Sequence, residues 1–180
     1  SSQYTGDVGR FTWDTANKRL ISNSSGTIYI QRRATGSGYG IYEICGEYLE
    51  DGAGRIGISF TINGKIIQLY INRLLGSEST ADLILYNLSD LYTIGTFGTV
   101  NTTTGVQFKI GVEITETHIY IIKNGTKSRG YSNRFGAPSN VRLFTTLSTS
   151  KVCHSITYTP TESYADDFAT DTTERYQPVL

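Results

Sequence analysis

The pattern of residues 106–126 constrains the fold of this chain more than any other stretch. Apolar side chains occupy every second position of its first half: Val106, Phe108, Ile110, Val112 and Ile114. A period of two is that of a strand with one buried face. A turn at residues 115–117 leads into a β-branched return strand, which ends at Asn124-Gly125, a pair suited to positive φ. The stretch therefore predicts a β-hairpin.

Similar short alternating segments, separated by turn residues, recur along the whole chain, and none has a helical period of useful length. Besides the two strands of the hairpin, the predicted strands are Arg10–Asp14, Arg19–Ser22, Thr27–Arg33, Gly40–Glu50, Arg55–Ile62, Lys65–Arg73, Ala81–Asn87, Leu91–Ile94, Val141–Thr146 and Val152–Tyr158. The 19 glycines and only three prolines suit tight turns between strands. About a dozen strands in 180 residues predict an all-β, antiparallel two-sheet sandwich or a barrel. Trp13, the only tryptophan, is expected to anchor the core where two sheets meet, and the alternative is a platform on which a sugar stacks.

The order of these segments resembles concanavalin A-like (laminin-G-like) β-sandwich domains, a superfamily of lectins and glucanases. The matching segments are Phe11-Thr12-Trp13-Asp14, Lys18-Arg19-Leu20-Ile21, Gly40-Ile41-Tyr42-Glu43-Ile44, Arg55-Ile56-Gly57-Ile58, Asn63-Gly64, Lys109-Ile110-Gly111-Val112-Glu113, Asn124-Gly125 and Val152-Cys153-His154-Ser155-Ile156. The resemblance implies that residues 1–160 form a jelly-roll sandwich and that residues 161–180 lie beyond its closing strand.

Glucanases of this superfamily carry Glu-x-Asp-x-Glu on the catalytic strand, so that three carboxylates share one face. The corresponding segment here is Glu43-Ile44-Cys45-Gly46-Glu47, in which Cys45 replaces the central aspartate. No tryptophan precedes it to form a sugar subsite. We therefore expect no hydrolytic activity and no catalytic residues, with Glu43 and Glu47 as surface carboxylates.

No metal or cofactor is expected. Laminin-G-like domains often bind calcium through an acidic residue of the closing strand, whereas the segment here is Cys153-His154-Ser155. Asp166 and Asp167 of the tail are the remaining candidates for a calcium site. His118 and His154 belong to no recognisable catalytic constellation and are expected to be structural.

The two cysteines, Cys45 and Cys153, match neither a metal-site spacing nor a CxxC motif. The residues alone leave open whether they form one disulfide or remain two buried thiols. The resemblance places their strands side by side in one sheet, which implies a close approach or a disulfide between them.

Four N-x-Ser/Thr sequons begin at Asn23, Asn87, Asn101 and Asn124. They favour an exported, glycosylated protein located outside the cell or on a cell or virion surface. No stretch of about 18 apolar residues predicts a membrane span.

The formal net charge is zero but unevenly distributed. Residues 161–180 contain five carboxylates and one arginine, so this tail has a charge of −4 and residues 1–160 have a charge of +4. A charge of this size does not predict nucleic acid as a partner. One loop combines cations with an aromatic residue: Lys127, Arg129, Tyr131 and Arg134. It is a candidate contact for an acidic glycan, or else a solvated connection between strands.

Residues 163–180 resemble the opening of such domains, with an Asp-Asp-Phe sequence ending at Phe168 and an aromatic residue at Tyr176. This segment could complete its own sandwich, enter a neighbouring subunit, or begin a tandem repeat. We expect an extracellular structural subunit that assembles head to tail into a filament, with Phe168 and Tyr176 as anchors of the donated strand. The alternative is a carbohydrate- or receptor-binding module, such as a viral tail-fibre domain, and a glycan hydrolase is the third reading.

Overall fold

The structure is a computed structural model that describes residues 4–22, 26–32, 38–128, 130–133, 136–146 and 151–160. The described residues form fifteen strands, in keeping with the alternating polarity of the chain. The strands are β1 (Tyr4–Gly6), β2 (Phe11–Asp14), β3 (Arg19–Ser22), β4 (Ile28–Arg32), β5 (Gly40–Tyr48), β6 (Gly54–Ile62), β7 (Lys65–Leu74), β8 (Ser77–Asn87), β9 (Tyr92–Asn101), β10 (Phe108–Ile114), β11 (His118–Lys123), β12 (Thr126–Lys127), β13 (Tyr131–Ser132), β14 (Ser139–Thr146) and β15 (Lys151–Pro160).

These strands form two antiparallel sheets. The seven-stranded sheet has the order β1-β4-β14-β6-β7-β8-β9. The eight-stranded sheet has the order β12-β11-β10-β5-β15-β3-β2, with β13 also paired to β11. Neighbours in each sheet include strands far apart in sequence, such as β5 beside β15 and β6 beside β14. The expectation of an antiparallel two-sheet β-sandwich is confirmed.

The core lies between the two inner faces and is built by the alternate residues of each strand. Strand β6 contributes Ile56, Ile58, Phe60 and Ile62, all of which are buried. The same core cluster includes Ile110, Val112 and Ile114 of β10, from the other sheet. Full burial of such side chains contributes about 1.5–3 kcal/mol each to the hydrophobic term.

The predicted hairpin is present as β10 and β11, which pair Val112 with Ile121. Its return strand ends at Asn124 and Gly125, whose φ angles are 47° and 81°. The Asn124 side chain also accepts a hydrogen bond from the backbone N–H of Lys109, 2.9 Å away. Val106, in contrast, lies outside β10 and is exposed, so the strand begins two residues later than predicted.

The prediction that Trp13 anchors the core is wrong. Its side chain is 52% exposed. Within the described part of the chain, β2 pairs only with β3 and forms the edge of the eight-stranded sheet. An edge position leaves one side of the ring without a neighbouring strand.

Two buried cations lie towards one end of the sandwich. Arg73 of β7 and Lys151 of β15 are each only 1% exposed. The Arg73 guanidinium lies 4.5 Å from the ring centroid of Tyr48, and the Tyr48 hydroxyl donates to the carbonyl oxygen of Gly54 at 3.1 Å. These two inward-facing side chains are polar because they lie at the rim of the sandwich, where they face loops and not the opposite sheet.

Candidate functional site

The outward face of the eight-stranded sheet is rich in ionisable side chains, and we call it the charged face. Its members are Asp14, Arg19, Glu43, Cys45, Glu47, Lys109, Glu113, Tyr120, Lys127 and His154. Strand alternation places them there, since the residues between them point into the core. The three hydroxyl residues Ser155, Thr157 and Thr159 of β15 add an exposed row beside β5.

Glu47 is the centre of a network on this face. Its Oε2 lies 2.6 Å from Nε2 of His154, and its Oε1 lies 3.6 Å from the Arg19 guanidinium. Arg19 also contacts Asp14 at 2.9 Å. Hydrogen bonds from Asn17 and then from Arg19 hold the pKa of Asp14 below its ordinary value. The network links four strands and holds the Glu47 carboxylate in place. The Glu47 side chain is only 8% exposed, so the expectation of a surface carboxylate is wrong for this residue.

A β-bulge brings His154 to this position. Cys153 pairs with Gly46 and Ser155 pairs with Cys45, so that His154 is the extra residue of β15. The bulge keeps Cys153 buried in the core while it turns the imidazole towards Glu47 on the charged face.

Glu43 belongs to a separate pair on the other side of β5. Its Oε2 lies 2.9 Å from Nζ of Lys109. The side chain lies over Gly111, where an added Cβ would meet the Glu43 Cγ. The two glutamates of the strand thus turn towards opposite neighbours, Glu43 towards β10 and Glu47 towards β15 and β3.

Cys45 lies between the two glutamates, where a glucanase strand has its central aspartate. Its Sγ is 3.7 Å from Oε1 of Gln107, and burial raises the pKa of this thiol above its ordinary value. A neutral thiol at this position supplies no charge to couple the two glutamates.

Tyr120 provides an aromatic surface at the far edge of the charged face. The His118 ring stacks on it with centroids 5.6 Å apart, and Nζ of Lys127 lies 4.5 Å from its centroid. The Lys127 amine also forms an ion pair with Glu113. Gly130 lies against the ring, because a Cβ there would approach it at 2.5 Å.

The structure separates two residues of the predicted basic-aromatic loop, Lys127 and Tyr131. Lys127 pairs with Ile122 on the charged face, whereas Tyr131 pairs with Ile119, an inward-facing position. The Tyr131 ring packs edge-on against Phe97 of β9, with centroids 5.6 Å apart. Arg129 and Arg134 lie outside the described residues.

The cysteine strands β5 and β15 lie side by side as the resemblance implied. Both thiols are free in the structure. Cys153 faces the core, where burial raises its pKa to about 12, whereas Cys45 faces the charged face. A disulfide is therefore not present here, because the two side chains leave the sheet on opposite faces.

The four sequons differ in accessibility. Asn87 is 3% exposed, and its side chain bonds the Asp90 side chain at 3.1 Å and the Asp90 backbone N–H at 2.9 Å. The folded structure leaves no room for a glycan on Asn87, so the prediction of a glycosylation site at this residue is wrong. Asn101 and Asn124 are exposed. Asn23 lies outside the described residues.

The predicted strand-donor anchors Phe168 and Tyr176, and the calcium candidates Asp166 and Asp167, also lie outside the described residues. Among the residues that are described, no cluster of three or more His, Cys, Asp or Glu side chains could hold a metal ion. In the same part of the chain, no helix has the length and apolar character needed to cross a membrane.

Comparison with known proteins gives the class of fold. No family model matches the sequence, and no curated protein sequence matches it. Solved structures do match, and they show that this chain has the β-sandwich fold of concanavalin A-like domains, which the sequence resemblance indicated.

Three of these structures illustrate the likeness. The carbohydrate-binding module CBM66 from Bacillus subtilis superposes with a TM-score of 0.60 at 13% identity, covering 87% of this chain and 94% of the module. The Crh5 transglycosylase in complex with NAG gives 0.66 at 10% identity, covering 89% and 80%. The Bacillus licheniformis β-glucanase gives 0.60 at 10% identity, covering 86% and 84%. At these identities the likeness shows the fold and not a shared activity.

Sequence reasoning missed two features of the site. It assigned His154 no partner, because the bulge that turns the imidazole towards Glu47 arises only when β15 pairs with β5. It also grouped Lys127 with Tyr131 in one basic-aromatic loop, although two different strand pairings send them to different faces. The alternation of Glu43, Cys45 and Glu47 was the signal that did locate the charged face.

Proposed function

We propose that this chain is a carbohydrate-binding domain without catalytic activity, and that it holds a neutral glycan across the charged face. The observation that carries the proposal is that four carboxylates on this face are each held by a cation: Asp14 by Arg19, Glu43 by Lys109, Glu47 by Arg19, and Glu113 by Lys127. A location outside the cell or on its surface is part of this proposal.

Paired carboxylates and cations suit sugar hydroxyls. A hydroxyl group donates one hydrogen bond and accepts others, so it can bridge a carboxylate and a neighbouring cation at once. Fixed side chains lose little conformational freedom when they bind, which favours affinity. Ser155, Thr157 and Thr159 extend the same chemistry along β15, and the stacked rings of His118 and Tyr120 form an aromatic pair that a sugar can contact.

The charge balance favours a neutral sugar over the acidic glycan that the basic-aromatic loop suggested. Lys127 already neutralises Glu113, and Lys109 already neutralises Glu43. An acidic sugar would have to compete with these carboxylates for the same cations. A neutral sugar can add to the pairs without breaking them.

The same pairs argue against hydrolysis. A glycosidase needs one carboxyl group that keeps a proton and a second that stays ionised. Here Lys109 pairs with Glu43 and Arg19 pairs with Glu47, and Cys45 lies between the two glutamates. The two carboxylates therefore have similar environments, whereas a glycosidase needs two different ones.

Affinity electrophoresis of the whole chain in gels containing laminarin or mixed-linkage β-1,3-1,4-glucan tests the proposal. We expect retardation by at least one polymer, and we expect Glu47→Gln and Tyr120→Ala to weaken it about tenfold or more. Asp90→Asn, on the rim of the seven-stranded sheet, is the matched control and should behave as wild type. The absence of retardation with every neutral polymer would refute the binding proposal, and release of reducing sugar that Glu43→Gln abolishes would refute its non-catalytic part.

Assembly through a donated strand is the second candidate function, favoured by one specific observation. Within the described residues, β15 pairs with β3 only at Val152 and Cys153, whereas it pairs with β5 along its whole length. Residues 157–160 therefore have one backbone edge without a described neighbouring strand. An extended segment such as 163–180 of another subunit, with Phe168 and Tyr176 as anchors, could pair there.

Sedimentation and negative-stain microscopy of the whole chain test this candidate. Head-to-tail assembly predicts a concentration-dependent series of oligomers that disappears when residues 163–180 are deleted and is capped by the free 163–180 peptide. A chain that stays monomeric at high concentration would rule out assembly by strand donation.

A further inference from the structure

A cavity of about 520 Å³ opens at one end of the sandwich, where the β7–β8 turn meets the β5–β6 and β9–β10 connections. Its wall contains four hydroxyl side chains, those of Ser77, Ser79, Thr103 and Thr104, together with the carboxylate of Asp51. The volume lies in the range of about 300–1,000 Å³ that small-molecule sites occupy. The cavity is separate from the charged face and shares no residue with it.

A buried cation holds this wall in place. The Arg73 side chain is 0% exposed, and its guanidinium donates to the carbonyl oxygen of Glu50 at 2.8 Å. It also donates to Oδ1 of Asp51 at 3.2 Å and to Oγ1 of Thr104 at 3.3 Å. One side chain of β7 thus ties together the two connections that border the cavity. Such a wall is organised before a ligand arrives, which lowers the entropy lost on binding.

The Asp51 carboxylate is fixed yet accessible. Its Oδ1 accepts hydrogen bonds from Arg73 and, at 2.6 Å, from the Thr104 hydroxyl, while the side chain as a whole is 76% exposed. The charge of Arg73 offsets that of Asp51, so the cavity offers no excess charge to attract a phosphate or a metal ion. A charge-compensated carboxylate among hydroxyl groups is suited to hydrogen-bond the hydroxyls of a ligand.

A second cavity of about 170 Å³ adjoins the first through Ser77, which lines both. Its wall includes Asn72, Asp82 and Thr99, which follow one another across β7, β8 and β9 on the outer face of the seven-stranded sheet. Leu74, an exposed apolar side chain, completes it. The two cavities therefore combine polar groups with an apolar wall, as the alternating hydroxyl and C–H surfaces of a sugar require.

We propose that the two cavities form a second glycan site, which binds the end of a neutral oligosaccharide. The terminal ring lies among Asp51 and the hydroxyls of the larger cavity, and the following ring passes Ser77 and packs on Leu74. This inference rests on the proposed function. With the charged face on one sheet and the smaller cavity on the other, two sites allow one domain to contact two chains or two parts of one chain, which raises avidity.

Titration of the isotope-labelled whole chain with soluble tetrasaccharides, followed by NMR, tests the second site. The probes are laminaritetraose, cellotetraose and the tetramer of N-acetylglucosamine. We expect at least one probe to shift amide signals of residues 72–82 and 101–104 saturably. Ser77→Trp, which fills the junction of the two cavities, should weaken this binding at least tenfold, and Asp51→Asn should weaken it as well.

Thr93→Trp is the matched control, because Thr93 is an exposed β9 threonine that lines neither cavity. It should bind the tetrasaccharides as wild type does. If Ser77→Trp also binds as wild type does, the second site is refuted. If polymers retard the chain in gels but no tetrasaccharide shifts the cavity signals, the second site is likewise refuted while the charged-face proposal stands. If neither polymers nor tetrasaccharides bind, the proposed function itself fails.

Discussion

Lys151→Met should stabilise this protein below pH 8 and should remove a pH dependence from its stability. Burial is the main reason that the pKa of Lys151 falls from 10.5 to about 8. Glu50 acts against this shift by attraction, whereas Arg73 adds to it by repulsion. The ammonium group is thus held in a site that disfavours its charge, among the loops where the sandwich ends.

The sign and the magnitude follow from linkage. The folded state releases the Lys151 proton at about pH 8 and the unfolded state at 10.5, so between these values the unfolded chain binds more protons and stability rises with pH. Below pH 8 the ammonium is charged in both states and the full penalty applies. The difference between the two pKa values corresponds to about 3 kcal/mol.

The test measures the free energy of unfolding in urea for the wild type and for Lys151→Met at intervals from pH 7 to pH 10.5. Subtracting one stability curve from the other removes the contribution of the buried tyrosines and cysteines, because these groups are the same in both proteins. We expect the wild type to gain about 3 kcal/mol relative to the variant across this range. Lys65→Met is the control, because Lys65 is half-exposed and pairs with Asp90 at 2.6 Å; it should cost no more than about 1 kcal/mol. Parallel curves for the wild type and Lys151→Met would refute the reasoning.

Three further outcomes are expected. Gly57→Ala should destabilise the fold by about 1–3 kcal/mol in urea unfolding, because the added Cβ would collide with the Leu69 carbonyl oxygen of β7 and lie 2.7 Å from Cα of Tyr70. Gly9→Ala, with open space around it, should be nearly neutral, and equal effects would contradict this packing. A thiol reagent should label Cys45 before Cys153 in the folded chain and both after unfolding; finding no free thiol would show that they are bridged. Acrylamide should quench the fluorescence of Trp13 efficiently, since the ring is half exposed, and a shielded ring would mean that another segment covers it.

Local pattern was sufficient for the strands and for the Asn-Gly turns, because side-chain direction alternates along any strand and positive φ depends on the residues at the turn itself. Asn63-Gly64 and Asn124-Gly125 both adopt positive φ as predicted. The period of two also places Glu43, Cys45 and Glu47 of β5 on one face, which is the charged face of the folded chain. Each of these properties is decided within a few residues of the position concerned.

The partners of these side chains were decided by the tertiary structure. His154 reaches Glu47 because β15 bulges against a strand more than a hundred residues earlier in the chain. Trp13 is exposed because β2 is an edge strand, and Asn87 is buried because Asp90 and the β7–β8 pairing enclose it. The sequence determined which residues face the same way, since that is a local property of the backbone. Only the tertiary structure decided which strands are neighbours and which polar groups are enclosed, because both depend on contacts between distant segments.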